Sequence, residues 1–132
     1  MSARRAAALP WRLAGPLAAL AAALVPLVSQ ACGACVEDNV AATYDHQTVT
    51  RAKTAGNVMV FCQVSGPFDE RQLRHSAQRV QGIKVQSLRT SAQPPALSFA
   101  VDPARQSPQA AVEAIQRTLP AGMYLTVVRL IP

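Results

Sequence analysis

Aromatic residues make up only 5% of this 132-residue chain and charged ones only 15%. Trp11 lies near the start, which leaves Tyr44, Phe61, Phe68, Phe99 and Tyr124 for the rest of the sequence. Scattered aromatics without a run of Lys and Arg provide neither the base-stacking platform nor the basic stripe of a nucleic-acid-binding surface. There is also no nucleophile elbow, no glycine-rich phosphate loop and no histidine-rich cluster, so the sequence gives no reason to expect an enzyme. No internal repeat is visible, and the only low-complexity tract is the alanine- and leucine-rich opening.

That opening has a clear organisation. Arg4 and Arg5 supply a positive start, and from Leu13 to Val28 no residue is charged. This is the layout of a secretory signal. The apolar run is shorter than the roughly 18 residues of a bilayer-spanning helix, and Pro16 and Pro26 interrupt it, which favours cleavage over a permanent anchor. Ser29 and Ala31 are small residues at the −3 and −1 places of a cut after Ala31, so the mature chain is expected to begin at Cys32. Val28-Ser29-Gln30-Ala31-Cys32 also resembles a bacterial lipobox, in which Cys32 would be lipidated. The expected location is the periplasm or the envelope side of a membrane.

Removing residues 1–31 takes away Arg4, Arg5 and Arg12 and no acid, so the net charge falls from +6 to +3. The remaining chain of about 100 residues makes one domain with a thin core. It divides into a Cys-x-x-Cys and N-terminal helix at 32–56 and a second unit at 57–132. All three cysteines, Cys32, Cys35 and Cys62, lie in the exported part, where oxidation is permitted.

Val36, Val40 and Tyr44 recur every four residues, and Ala41, Thr48, Ala52 and Ala55 extend the stripe, which predicts one amphipathic helix over roughly 36–55. Glu37 and Asp38 suit its first turn and Gly56 its stop. Val58 to Val64 is almost wholly apolar, as in a strand covered on both faces, the second cover coming from the N-terminal helix. A second helix follows from Asp69 to Val80, with Leu73, Ala77 and Val80 buried. Ile83 to Thr90 and Ala96 to Val101 alternate as two strands of a hairpin around Gln93-Pro94-Pro95. Ser107-Pro108 is an N-cap with proline at the first helical place, and Met123 to Ile131 closes the chain as a strand. From residue 57 the order is strand, helix, strand, strand, helix, strand. The predicted class is therefore α+β, a ferredoxin-like βαββαβ sheet with two helices on one face and one extra N-terminal helix lying apart.

Two stretches carry a family resemblance: Val80-Gln81-Gly82-Ile83-Lys84-Val85 with its glycine turn into a strand, and Ala100-Val101-Asp102-Pro103 followed by Ser107-Pro108 and Ala114-Ile115. Over 57–132 the chain resembles the heavy-metal-associated domain, the small copper-chaperone module of metal transporters and their partners. The resemblance implies heavy-metal binding and an envelope protein or metal transporter as partner. That family holds its metal in a Met-x-Cys-x-x-Cys loop after the first strand. Here the loop reads Ser65-Gly66-Pro67-Phe68-Asp69-Glu70, without a thiol, so the family's ligands do not carry over.

A Cys-x-x-Cys stands instead at the mature N-terminus. Two thiolates at Cys32 and Cys35 suit Cu(I), or Zn(II), while an oxidising compartment favours a disulfide with a structural or redox role. The redox reading lacks the preceding strand and cis-proline loop of thioredoxin-like pairs, and lipidation of Cys32 would remove one thiol. With only Gly56-Asn57 between them, the long helix and the first strand are expected to run antiparallel. That would return Cys32 and Cys35 toward Ser65-Gly66-Pro67, near the Cys62 end of the strand. Cys62 itself alternates with Val58, Val60 and Val64 and reads as a small core residue. His46, about 16 Å beyond Cys35 on a continuous helix, is too far to share an ion with it. His75 falls on an outer helical face, and Met59 and Met123 read as core.

Overall fold

The computed structural model describes residues 31–132, with side chains from Val36 onward. The secretory segment expected at 1–31 therefore lies, up to residue 30, outside the described residues. The elements run α1 (Ala31–Thr43), α2 (His46–Thr54), β1 (Val58–Ser65), α3 (Glu70–Gln78), β2 (Ile83–Ala92), β3 (Pro95–Val101), α4 (Pro108–Thr118) and β4 (Tyr124–Ile131). The class is α+β, with four strands in one antiparallel sheet in the order β2-β3-β1-β4.

Strict alternation along β1 creates two cores. Val60, Cys62 and Val64 point to one face, where Leu73 and Ala77 of α3 and Ala111 and Ile115 of α4 pack on them. Met59 and Phe61 point to the other, toward Val40 of α1 and Val49 and Ala52 of α2. The central strand is thus buried on both sides, as its continuous apolar run requires.

The expected single helix over 36–55 is two helices. The break falls at Tyr44–Asp45, where Asp45 leaves helical geometry (φ −132°, ψ 114°) and its carboxylate accepts from the backbone N–H groups of Gln47 and Thr48. An aspartate that can cap two orphan amides ends one helix and starts the next. The restart shifts the buried stripe: Val40 and Thr43, then Thr48, Val49 and Ala52, are buried, while Ala41 and Ala55 face solvent. Tyr44 is half exposed and stacks on Phe61, with ring centroids 6.3 Å apart.

Nor does α1 run antiparallel to β1. Thr43 at its C-terminal end accepts a hydrogen bond through its carbonyl from Ser98 Oγ on β3 (3.2 Å), and Glu37 pairs with Arg129 on β4. Ser98, Phe61 and Arg129 form one row across the sheet, so α1 crosses the strands transversely. Arg129 faces α1 because of a β-bulge. Cys62 pairs with Val127 and Phe61 with Arg129, leaving Val128 without a partner of its own. The extra residue moves Arg129 and Ile131 to the face opposite Leu125 and Val127.

β2 carries a larger irregularity. Lys84 pairs with Ala100 and Arg89 with Ser98, so the four residues Val85–Leu88 stand opposite Phe99 alone. The simple alternation expected for this strand therefore fails: Val85 is exposed, while Ser87 and Leu88 are both buried. Ser87 replaces the missing ladder partner, its hydroxyl donating to the Lys84 carbonyl (2.5 Å) and accepting from Ala100 N–H (2.7 Å).

Candidate functional site

Cys62 is 1% exposed on the α3–α4 side of the sheet. Burial without a charged partner disfavours the thiolate and pushes its pKa up to about 12. Cys32 and Cys35 belong to the first turns of α1, and their side chains lie outside the described residues. The described part of that helix packs on the opposite face from Cys62, with Glu37 over β4. The expected approach of the Cys-x-x-Cys to Ser65-Gly66-Pro67 and the Cys62 end rested on one unbroken antiparallel helix, and that premise does not hold.

The loop where the heavy-metal-associated family keeps its thiols is closed by packing. Gly66 adopts φ +87°, and a Cβ there would stand 1.9 Å from the Gly122 carbonyl oxygen of the α4–β4 turn. Asp69 caps α3 through Gln72 N–H (3.1 Å), and Glu70 accepts from the Thr90 hydroxyl (2.6 Å) and from Arg74. His46 opens α2 and His75 lies on α3, both exposed. Among the described residues no group of three His, Cys, Asp or Glu side chains is placed to hold a metal ion. Nor is any described helix long and apolar enough to cross a membrane.

A second concave feature has no counterpart in the motifs. Between α2 and the irregular part of β2 lies a cavity of about 270 Å³, floored by Ala52 and Ala100 and flanked by Arg51, Asn57, Lys84, Gln86 and Ser87. Among the described residues no acid lines it, and neither Arg51 nor Lys84 belongs to an ion pair; those found join Arg74 to Glu70, Arg89 to Asp45 and Arg129 to Glu37. Asn57 is 7% exposed, and the one hydrogen bond seen for it among the described residues is from its backbone N–H to the Ala52 carbonyl (2.8 Å). Sequence reasoning missed these residues because the wall they form depends on the excess chain in β2. The one available signal was Ser87, a polar residue next to Leu88 where alternation alone would not bury both.

Compared with protein-family models, characterised proteins and solved structures, the chain matches none.

Proposed function

We propose that this is an exported Cu(I)-binding protein whose ligands are the thiolates of Cys32 and Cys35. The observation that supports this reading is the burial of Cys62: at 1% exposure, with its thiol pKa pushed up to about 12, it is withdrawn from metal exchange, which leaves the Cys-x-x-Cys motif of the sequence as the source of soft donors. Two thiolates form the linear pair that Cu(I) accepts, and Zn(II) would need further ligands from solvent or a partner. The order β1-α3-β2-β3-α4-β4, with strands arranged β4-β1-β3-β2, supports a ferredoxin-like arrangement related to heavy-metal-associated domains. On this reading the metal site has moved from the β1–α3 loop to the N-terminal helix, and the natural partner is an envelope protein or metal transporter that exchanges Cu(I).

Reduced mature protein is expected to take up one equivalent of Cu(I) in competition with a chromogenic chelator. Replacing both Cys32 and Cys35 by Ser should abolish uptake and leave the domain folded. Copper bound as tightly by the double variant as by the parent would overturn the assignment.

A second reading is favoured by Val28-Ser29-Gln30-Ala31-Cys32, the lipobox-like stretch. Acylation of Cys32 would tether a non-catalytic binding domain to the envelope and leave Cys35 as a single thiol. Mass spectrometry of the mature N-terminus separates the two: a free Cys32 supports the copper site, and a diacylglyceryl mass supports the lipoprotein.

A further inference from the structure

We propose that the cavity between α2 and β2 binds a small organic carboxylate, with Arg51 and Lys84 taking the carboxylate and Asn57 hydrogen-bonding to it. Three observations lead there. Arg51 and Lys84 flank one cavity with, among the described residues, no acid in its lining and no ion pair of their own. Arg51 and Lys84 are both exposed, and two like charges on the rim of one cavity repel weakly, which a bound anion relieves for both at once.

The second observation is Asn57. A carboxamide that borders a cavity without a hydrogen-bond partner of its own offers its N–H groups to whatever enters. Asn57 is more than nine-tenths buried, lines the cavity and shows only its backbone hydrogen bond within the described residues. Its N–H groups can complete the coordination of a carboxylate oxygen.

Third, the wall is built by irregular chain. Val85–Leu88 are excess residues in β2, and the Ser87 hydroxyl is committed to holding them in place by its bonds to Lys84 and Ala100. Bulges are over-represented at sheet edges, such as β2, and next to active sites, where they re-aim side chains. Here the bulge brings Gln86 to the cavity and sets Lys84 at its start.

The apolar floor of Ala52 and Ala100, with Ala55 on the rim, decides the ligand class. Inorganic phosphate would surrender hydration to methyl groups, whereas a carboxylate with a short aliphatic body covers them. At about 270 Å³ the cavity is close to the small end of ligand pockets, which run from roughly 300 to 1,000 Å³. Among the described residues this lining offers a metal ion no Cys, His, Asp or Glu.

The test is an NMR titration of the reduced mature protein at fixed ionic strength with hexanoate, with hexanamide as its uncharged analogue, and with inorganic phosphate. Hexanoate should shift the amide signals of Arg51, Asn57, Lys84 and Gln86 saturably, and should bind about tenfold or more tightly than either comparison compound, as expected for charge-assisted contacts. Arg51→Gln and Lys84→Gln should each weaken binding about tenfold. Ala55→Leu, at an exposed position on the cavity rim, should block it with an unchanged melting temperature. The cysteine double variant should bind hexanoate like the parent, because this site is independent of the thiols. Equal affinity for phosphate or hexanamide, shifts located elsewhere, no saturable shift, or undiminished binding by an Arg51→Gln/Lys84→Gln double variant would each overturn the proposal.

Discussion

Asp45 Oδ2 accepts from Arg89 Nη2 at 3.1 Å, while Oδ1 of the same carboxylate caps α2. One side chain thus marks the junction of α1 and α2 and ties it to the edge strand β2. The Thr48 backbone N–H, then Arg89, hold the Asp45 carboxyl below its ordinary pKa, and the Thr90 hydroxyl, then Arg74, do the same for Glu70. Both carboxylates bind protons more weakly in the folded state. Their contribution is therefore fully present above the ordinary carboxylate range near 4 and is lost as pH falls below it. Denaturant midpoints measured from pH 5 down to pH 2 should fall. Asp45→Asn, which keeps an N-cap oxygen, should reduce that dependence, and Asp45→Ala should additionally lower the midpoint at neutral pH.

Cys62 should be silent toward thiol reagents in the native state. Its pKa is pushed up to about 12, so the folded protein holds its proton where an unfolded thiol, ionising near 8.5, releases it. Stability contributed by this group is present below that unfolded value and falls as pH rises toward the folded one. Melting temperatures between pH 8 and pH 11 should decline more steeply for the parent than for Cys62→Ala. That variant should cost about 1 kcal/mol at pH 7 and leave copper uptake intact. Rapid alkylation of native Cys62 would contradict the burial.

Ser87→Ala should destabilise by about 1–3 kcal/mol, because it leaves the Ala100 N–H, in a fully enclosed strand, without its acceptor. Ser87→Thr keeps the hydroxyl and should recover part of the loss. Urea unfolding of the three proteins decides it.

Gly66 and Gly56 offer a controlled comparison, since both have positive φ, +87° and +74°. Around Gly56 there is open space, so Gly56→Ala should cost only about 1–2 kcal/mol of backbone strain. At Gly66 the added Cβ meets the Gly122 carbonyl, and the β1–α3 and α4–β4 turns must separate. Gly66→Ala should cost about 3 kcal/mol or more. Thermal denaturation of the two variants should rank them in that order.

The four strands were legible as short apolar or alternating runs between turn signals, and α3 and α4 because Asp69 and Ser107 stand where N-caps belong. The break in the N-terminal helix was legible only in part: Tyr44-Asp45-His46 reads as a polar face or helix cap, and Asp45 is the cap of α2, but the four-residue stripe runs through Tyr44 without interruption. What set the direction of α1 was invisible, since Glu37 finds Arg129 only after Val128 has reversed the facing of β4. Bulges follow from three-dimensional register, and no period in the chain announces them. The same holds for the candidate sites. Cys32 and Cys35 stand out as a motif, whereas Arg51, Asn57 and Lys84 converge only through folding.

Both irregularities fall on β2 and β4, the two outer strands of the sheet. An outer strand with an even row of unpaired N–H and C=O groups is a template on which another chain can add itself. Val128 on one side and Val85–Leu88 on the other interrupt that row, so an approaching strand would lose register within a few residues. The two bulges thus act as built-in resistance to edge-to-edge aggregation, at the expense of regular pairing with β1 and β3.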